Sequence, residues 1–189
     1  FLDGVMEEFI QKSNGKESLK RTHKHAKKGR ALGLGVMGWH TFLQQKGLPF
    51  ASIASTVHTR NIFNKIRMEA ETASMNLAAE YGEPLWCRGT GMRNTHLLAV
   101  APTVSNSVIC GGISAGIEPL PANVYTFNGA KGTFIRKNKS LEELLESKGE
   151  NKEKWWKQML QEGGSVMGLP DTVLSSDEKE VFLTFPEIN

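Results

Sequence analysis

A run of small hydroxylic residues follows a short apolar stretch near the middle of the chain, at Pro102-Thr103-Val104-Ser105-Asn106-Ser107. The apolar residues before it, within Arg93 to Ala101, predict a buried strand, and those after it predict a short helix. Backbone N–H groups at a helix start lack intrahelical acceptors and lie at the positive end of the helix dipole, so they can hold a phosphate without a charged side chain. The hydroxyls of Thr103, Ser105 and Ser107 could add donors. An ordinary helix cap with small polar residues is the alternative that this spacing leaves open.

A second segment, nearer the start of the chain, has the spacing of the glycine fingerprint of dinucleotide-binding proteins. It reads Gly33-Leu34-Gly35-Val36-Met37-Gly38. That fingerprint requires a strand directly before it, whereas the basic run Lys27 to Arg30 precedes these glycines. It also requires an acidic residue about 20 positions further on, and Ile53 to His58 reads IASTVH. We therefore interpret the glycines as packing residues that let a helix start approach a neighbouring backbone closely.

Residue types suited to metal binding or nucleophilic catalysis are scattered along the chain. His23 and His25 lie in a basic segment without an evident carboxylate or cysteine partner, and Cys87 and Cys110 lack C-x-x-C spacing. No nucleophile elbow, H-E-x-x-H or P-loop sequence occurs. The sequence therefore predicts no metal site and no catalytic residue here. It also predicts that both cysteines are buried structural thiols in a reducing, cytoplasmic compartment.

Apolar residues recur at helical spacing in the first half of the chain. The predicted helices are a short amphipathic one from Leu2 that fades at Ser13, one through Trp39 and Leu43 that closes at Gly47, and a long one over Ser52 to Tyr81 with Gly82 at its end.

The second half combines a hairpin with further helices. Asn128-Gly129-Ala130-Lys131-Gly132 suits a turn with positive φ between strands at Val124–Phe127 and Thr133–Ile135. Ser140 and Glu143 form a capping box that predicts a helix start at Ser140. Two later helices are predicted around Trp155 to Leu160 and over Ser176 to Phe185.

The composition is that of an ordinary globular domain with a substantial core: 189 residues, 39% of them hydrophobic, with a formal net charge of +3. No stretch of about 18 apolar residues and no secretory leader occurs, which disfavours a membrane span and secretion. Lys16 to Arg30 is basic and is interpreted as a solvated connector or exposed helix. Because the chain begins in mid-helix at Phe1 and stops at Asn189 without a cap, we expect residues 1–189 to be a single partial domain, truncated at both ends.

Two blocks resemble the large subunit of class I ribonucleotide reductases. Arg30 to Phe42, RALGLGVMGWHTF, is similar to that family's R-x-[LI]-G-[IL]-G-V-x-G segment. Arg93 to Pro119, RNTHLLAVAPTVSNSVICGGISAGIEP, is similar to its RNS…PT…S…GIEP block. The two blocks are separate and occur in the family's order, which makes a chance similarity improbable.

The resemblance implies an α/β fold, namely the carboxy-terminal half of the helix-rich, ten-stranded ribonucleotide reductase barrel, built around a finger loop with a radical cysteine. It implies an enzyme that reduces ribonucleoside diphosphates to deoxyribonucleotides for DNA replication by thiyl-radical chemistry. The expected partners are the substrate, the remaining part of the large subunit, a radical-generating small subunit with a metal centre, and further copies in a homo-oligomer. A dithiol reductant is also expected, with no cofactor in this chain and no membrane.

The resemblance also assigns the loop. Thr103, Val104, Ser105, Asn106 and Ser107 match the family's substrate-diphosphate loop, whose amides and hydroxyls hold the phosphates. Some members carry an acidic residue at the position of Val104, so a particular side chain there is not essential. The family's catalytic cysteines, finger-loop residues, effector sites and tandem tyrosines match no part of this sequence, and the isolated chain is expected to be inactive.

Two other classes of function are the alternatives. A noncatalytic nucleotide- or protein-binding module would keep part of the fold and would be indifferent to changes at Ser105 and Asn106. A nucleic-acid-binding protein using Lys16 to Arg30 would bind with a steep salt dependence.

Overall fold

The computed structural model describes residues 1–129 and 132–188. It divides the chain into two compact units, Phe1–Gly35 with Thr59–Val100, and Val36–His58 with Ala101–Asn189. The elements are α1 (Leu2–Ser13), α2 (Lys20–Gly29), α3 (Trp39–Gln45), α4 (Ile53–Tyr81), α5 (Val104–Ile109), β1 (Val124–Gly129), β2 (Gly132–Lys137), α6 (Lys139–Ser147), α7 (Glu153–Gln161) and α8 (Ser176–Val181).

The first unit contains α1, α2 and residues 59–81 of α4. α4 ends where the sequence predicts, because Gly82 adopts φ +81° and its N–H donates to Ala78 O at 2.8 Å. In the basic segment, Glu17–Leu19 form a 3-10 turn that leads into α2, Lys20–Gly29. The exposed-helix alternative for this segment is therefore the correct one.

Two segments of the same unit, around Leu34 and around Leu98, pair with each other in parallel. Leu34 N–H donates to Leu97 O at 2.8 Å, and Ala99 N–H donates to Leu34 O at 3.1 Å. The prediction of a buried strand over Arg93 to Ala101 is wrong, because this segment forms an isolated parallel bridge between Leu98 and Leu34 rather than a strand, and because Leu98 and Val100 are exposed. A parallel pair is buried only where layers cover both of its faces, and the described residues of this unit leave that surface open.

A buried ion pair joins α1 to the two segments that carry the resemblance. Arg30 adopts a left-handed conformation with φ +47°, and its side chain lies against Asp3. Asn94 Nδ2 donates to Asp3 Oδ1 and to Arg30 O, each at 2.9 Å. Both blocks are therefore held by the same carboxylate.

Two glycines of the false dinucleotide fingerprint, Gly33 and Gly38, pack closely against neighbours, although these neighbours are side chains rather than the predicted backbone. A Cβ added to Gly33 would lie 3.0 Å from the Ala99 Cβ, and one added to Gly38 would lie 2.9 Å from Ile113 Cδ1. Gly38 also has φ +82°. A side chain at either position would force its neighbour to move.

The core of the second unit lies among α6, α7, α8 and the chain between them. Its fully buried residues include Leu141, Leu145, Met159 and Leu174. α8 is shorter than the helix predicted over Ser176 to Phe185, and a 3-10 turn at Phe185–Glu187 follows it.

The hairpin is confirmed, with β1 and β2 antiparallel and Phe127 opposite Phe134. Its strands are longer than predicted, because Asn128, Gly129 and Gly132, expected in the turn, are paired within the strands. The turn residues 130 and 131 lie outside the described ranges. The capping box predicted for Ser140 is wrong, because α6 begins one residue earlier and Asn138 is its cap, accepting from Ser140 N–H at 3.1 Å.

No helix in residues 1–129 and 132–188 has both the length and the apolar character needed to cross a membrane.

Candidate functional site

The start of α5 lies at the predicted loop. Thr103 is the residue before the helix and has φ +47° and ψ +26°, a left-handed conformation that is uncommon for a β-branched residue. The backbone bonding of the helix begins with Ser107 N–H, which donates to Thr103 O at 2.9 Å. The N–H groups of Val104, Ser105 and Asn106 precede this bond and lack intrahelical acceptors. The helix start therefore offers a cluster of backbone donors to an anion.

The side chains of the five predicted site residues differ in their surroundings. Val104, Ser105 and Asn106 are exposed at the helix start. Thr103 Oγ1 is half-buried and accepts from Gly116 N–H at 2.8 Å. Ser107 is buried, and its hydroxyl donates to Val104 O at 2.8 Å. Ser105 and Asn106 are thus exposed on the first turn of α5, which also carries the amides without intrahelical acceptors, whereas the Ser107 hydroxyl is engaged within its own helix.

A network on the other side of the loop fixes the segment that contains Gly116. Ser114 and Thr41 exchange two hydrogen bonds: Ser114 N–H donates to Thr41 Oγ1 at 2.9 Å, and Thr41 N–H donates to Ser114 Oγ at 3.1 Å. Gly38 N–H donates to Ser114 O at 2.9 Å. The start of α3 therefore positions the backbone that contacts the loop.

A buried histidine extends this support. Leu120 N–H donates to His40 Nδ1 at 2.9 Å, which makes Nδ1 an acceptor and the imidazole neutral. Burial lowers the pKa of His40 from 6.5 to about 4, although a hydrogen bond with the Val181 backbone acts in the opposite direction. His40 is therefore a neutral structural residue at physiological pH.

A cavity of about 320 Å³ lies beside α5 and is lined by Val104, Ser107, Gly112 and Arg136, among others. The Arg136 guanidinium lies over the Phe127 ring at 5.0 Å and close to Gly112. Gly112 follows the end of α5, so this cation lies at the carbonyl end of the helix, where the dipole favours positive charge. Sequence reasoning missed Arg136, which carries no motif.

The two cysteines differ. Cys87 is buried, and burial together with the nearby Glu83 charge raises the pKa of its thiol. The prediction of a buried thiol is wrong for Cys110, which is exposed at the C-cap position of α5. Among the described residues, no group of three or more histidine, cysteine or acidic side chains is arranged to hold a metal ion.

The described residues combine helices, one parallel bridge and an antiparallel hairpin with a candidate phosphate-binding loop at the start of α5, as expected for part of an α/β protein. The sequence model of the family "Ribonucleotide reductase, barrel domain" matches residues 5–86 and 87–189. The chain belongs to this family, and its fold is part of that barrel domain.

Similar proteins agree with this assignment. The chain is 38% identical over 190 residues to the ribonucleoside-diphosphate reductase large subunit of Invertebrate iridescent virus 6, covering 100% of this chain and 20% of that protein. It is 31% identical over 169 residues to a vitamin B12-dependent ribonucleoside-diphosphate reductase of Mycobacterium tuberculosis, covering 86% of this chain and 24% of that protein.

A solved structure of the Actinobacillus ureae class Id ribonucleotide reductase alpha subunit superposes with a TM-score of 0.88 at 42% identity. The superposition covers 98% of this chain and 34% of that subunit. The chain therefore spans between a fifth and about a third of the length of these relatives.

Proposed function

We propose that this chain is part of a ribonucleoside-diphosphate reductase large subunit and that the start of α5 holds the diphosphate of the substrate. The observation that carries the proposal is the exposed cluster of N–H groups at Val104, Ser105 and Asn106, within a chain of this family. Thr103 and Ser107 complete the loop: Thr103 contributes its hydroxyl, and Ser107 the hydrogen bonds that hold the first turn.

The contribution of this chain to catalysis is positioning. An anion held by three backbone amides at a helix start needs no lysine or arginine, because the dipole and the oriented N–H groups supply the positive potential. Fixing the diphosphate limits the positions of the ribose, which is the orientational component of catalysis. The chemical step, removal of the ribose 3′ hydrogen by a cysteine radical with loss of water from C2′, is assigned to groups outside this chain.

The proposed partners follow from the same assignment. They are the remaining part of the large subunit, a second copy in a homo-oligomer, a dithiol reductant and a radical-generating small subunit with a metal centre, in the cytoplasm. One relative is named as vitamin B12-dependent, so the alternative radical source is vitamin B12 instead of a small subunit. Assay with and without a small subunit separates the two.

A titration tests the diphosphate site. The 189-residue chain is titrated with ADP and, as a control, with adenosine, and binding is followed by calorimetry. We expect millimolar or tighter binding of ADP, which depends on its phosphates, and a loss of about tenfold or more in a Ser105→Phe/Asn106→Phe double variant. Ser147→Phe, an exposed change on α6, is the matched control and should bind ADP as the unmodified chain does. Equal binding by the double variant would favour the noncatalytic module.

Reconstitution tests the enzyme. The chain is combined with the complementary part of a large subunit, a small subunit and a dithiol, and deoxyribonucleoside diphosphate is measured. Product that requires both the chain and the dithiol supports the proposal. Absence of product, with a complete relative active in the same assay, contradicts it.

A further inference from the structure

Gly116 lies directly against the proposed diphosphate loop. Its N–H donates to Thr103 Oγ1 at 2.8 Å, the hydrogen bond that joins the Gly116-Ile117-Glu118-Pro119 segment to the residue before α5. Thr103 has φ +47°, and a β-branched residue keeps such a conformation only where its surroundings hold it. The contact from Gly116 is part of those surroundings.

The geometry leaves no room for a side chain at position 116. A Cβ there would lie 2.8 Å from Ala101 O and 3.8 Å from Pro102 O, both of which are backbone atoms that cannot rotate away. Gly116 also has φ +51°. Any other residue would push the chain that enters the loop or break the bond to Thr103.

The position of Gly116 is itself fixed from the other side. Trp39 N–H donates to Gly116 O at 3.3 Å, and the paired bonds between Ser114 and Thr41 hold the residues just before it. Because one face of Gly116 is bound to α3 and the other to Thr103, the loop cannot shift without disturbing the start of α3.

A threonine hydroxyl has one proton and two acceptor lone pairs. The Gly116 N–H occupies one lone pair of Thr103 Oγ1, so the hydroxyl proton is left to point elsewhere. We infer that Gly116 is a positioning residue for the diphosphate: it holds Thr103 so that its hydroxyl proton and the amides of α5 converge on the same phosphate. This inference rests on the proposed function of the loop.

The test compares four variants of the chain by titration with ADP and with adenosine. Thr103→Val removes the acceptor for Gly116 N–H, and Thr103→Ser restores it. Gly116→Ala introduces the clash with Ala101 O. Gly149→Ala is the matched control, because Gly149 has a similar φ of +68°, while no atom of the described residues lies within 4 Å of an added Cβ there.

We expect ADP binding to weaken about tenfold, or ~1.4 kcal/mol, in Thr103→Val and in Gly116→Ala. Thr103→Ser should recover most of the affinity, Gly149→Ala should bind as the unmodified chain does, and adenosine binding should not change. Normal ADP binding by a folded Gly116→Ala chain would overturn the inference while leaving the diphosphate site intact. Failure of the unmodified chain to bind ADP would instead refute the proposed function.

If the Gly116→Ala chain does not fold, as judged by the loss of cooperative unfolding, a second measurement tests the inference on the unmodified chain. Hydrogen exchange at the Gly116 amide of the unmodified chain should slow when ADP is added and should not respond to adenosine, because the anion stabilises the acceptor of that N–H. An amide that responds to neither ligand, under conditions where ADP binds, would overturn the positioning role.

Discussion

The guanidinium of Arg30 and the carboxylate of Asp3 form two parallel hydrogen bonds, from Nε to Oδ1 and from Nη2 to Oδ2, each 2.9 Å long. Both side chains are buried, and Asn94 donates to the same carboxylate. A planar guanidinium matches a carboxylate in this geometry, so the pair fixes direction as well as distance. It ties α1 to the two segments from which the family could be predicted.

Replacing Asp3 with Asn should destabilise the first unit by about 3 kcal/mol, because it leaves the buried Arg30 without its principal counter-charge. Urea unfolding measures the change. Glu8→Gln, on the same helix, is the control: its pair with Lys12 is exposed and should contribute less than about 1 kcal/mol. Equal effects of the two changes would contradict a structural role for the buried pair.

The same carboxylate predicts a pH dependence. Burial acts to raise the pKa of Asp3, but the hydrogen bonds from Arg30 and Asn94 outweigh it and hold this pKa below the ordinary 3.8. A lowered folded-state pKa means that the stabilisation is present above pH 3.8 and is lost as the pH falls below it. Asp3→Asn should therefore show a weaker loss of stability between pH 4 and pH 2 than the unmodified chain.

His40 predicts a second acid transition in a different range. Its pKa is about 4 in the folded chain and 6.5 when exposed, so the unfolded chain binds the proton first as the pH falls. The unfolding free energy should drop by about 3 kcal/mol between pH 6.5 and pH 4 and then level off. His40→Gln should flatten this range in urea unfolding, and an unchanged pH dependence in this variant would contradict the prediction.

At the start of α6, replacing Asn138 with Ala and replacing Ser140 with Ala should have different effects on the free energy of unfolding. Asn138 Nδ2 donates to Gln44 Oε1 at 3.1 Å and to Asn123 Oδ1 at 2.8 Å, so Asn138→Ala leaves two buried acceptors unpaired and should cost about 2 kcal/mol or more. Ser140 Oγ is buried without a hydrogen-bond partner among the described residues. Ser140→Ala should therefore be neutral or slightly stabilising. Thermal unfolding of both variants measures the change in stability. A larger loss of stability in Ser140→Ala than in Asn138→Ala would show that Ser140 caps the helix, as the sequence predicts.

The different exposure of Cys87 and Cys110 predicts how many thiols a reagent can reach in the folded chain. An aromatic disulfide reagent should modify one thiol per folded chain rapidly, at Cys110, and the second only after unfolding, because Cys87 is buried and its pKa is raised. Cys110→Ser should abolish the rapid phase and Cys87→Ser should leave it. Two rapid thiols in the folded chain would show that the region around Cys87 opens.

The sequence predicts well where local rules decide. The ends of α1 and α4 follow from apolar spacing and from Gly82. The hairpin is predicted correctly, although Asn128 and Gly129 lie in β1 rather than in the turn. The prediction fails where distant partners decide. Asn138 and Ser140 are both acceptable caps locally, and the choice depends on Gln44, which is 94 residues away in the chain.

The candidate site also combines features that the sequence predicts with features that it does not. Small hydroxylic residues after an apolar run indicate the helix start at α5, and the family resemblance gives it a role. The bond from Gly116 to Thr103 Oγ1, the inward turn of the Ser107 hydroxyl and the position of Arg136 depend on backbone conformation and on residues that carry no local pattern. These contacts are visible only in the folded chain.

The hydrogen bond from Asn94 to Arg30 O spans 64 residues of chain, and the intervening residues 36–58 belong to the other compact unit. During synthesis, at roughly 5–20 residues per second, α1 and α2 must wait several seconds for the segment that completes their unit. The two units are interleaved along the gene, so neither can be expressed as one uninterrupted stretch. During that interval the apolar side chains of α1 lack the segment that completes their unit, and apolar surface exposed in this way is prone to aggregation.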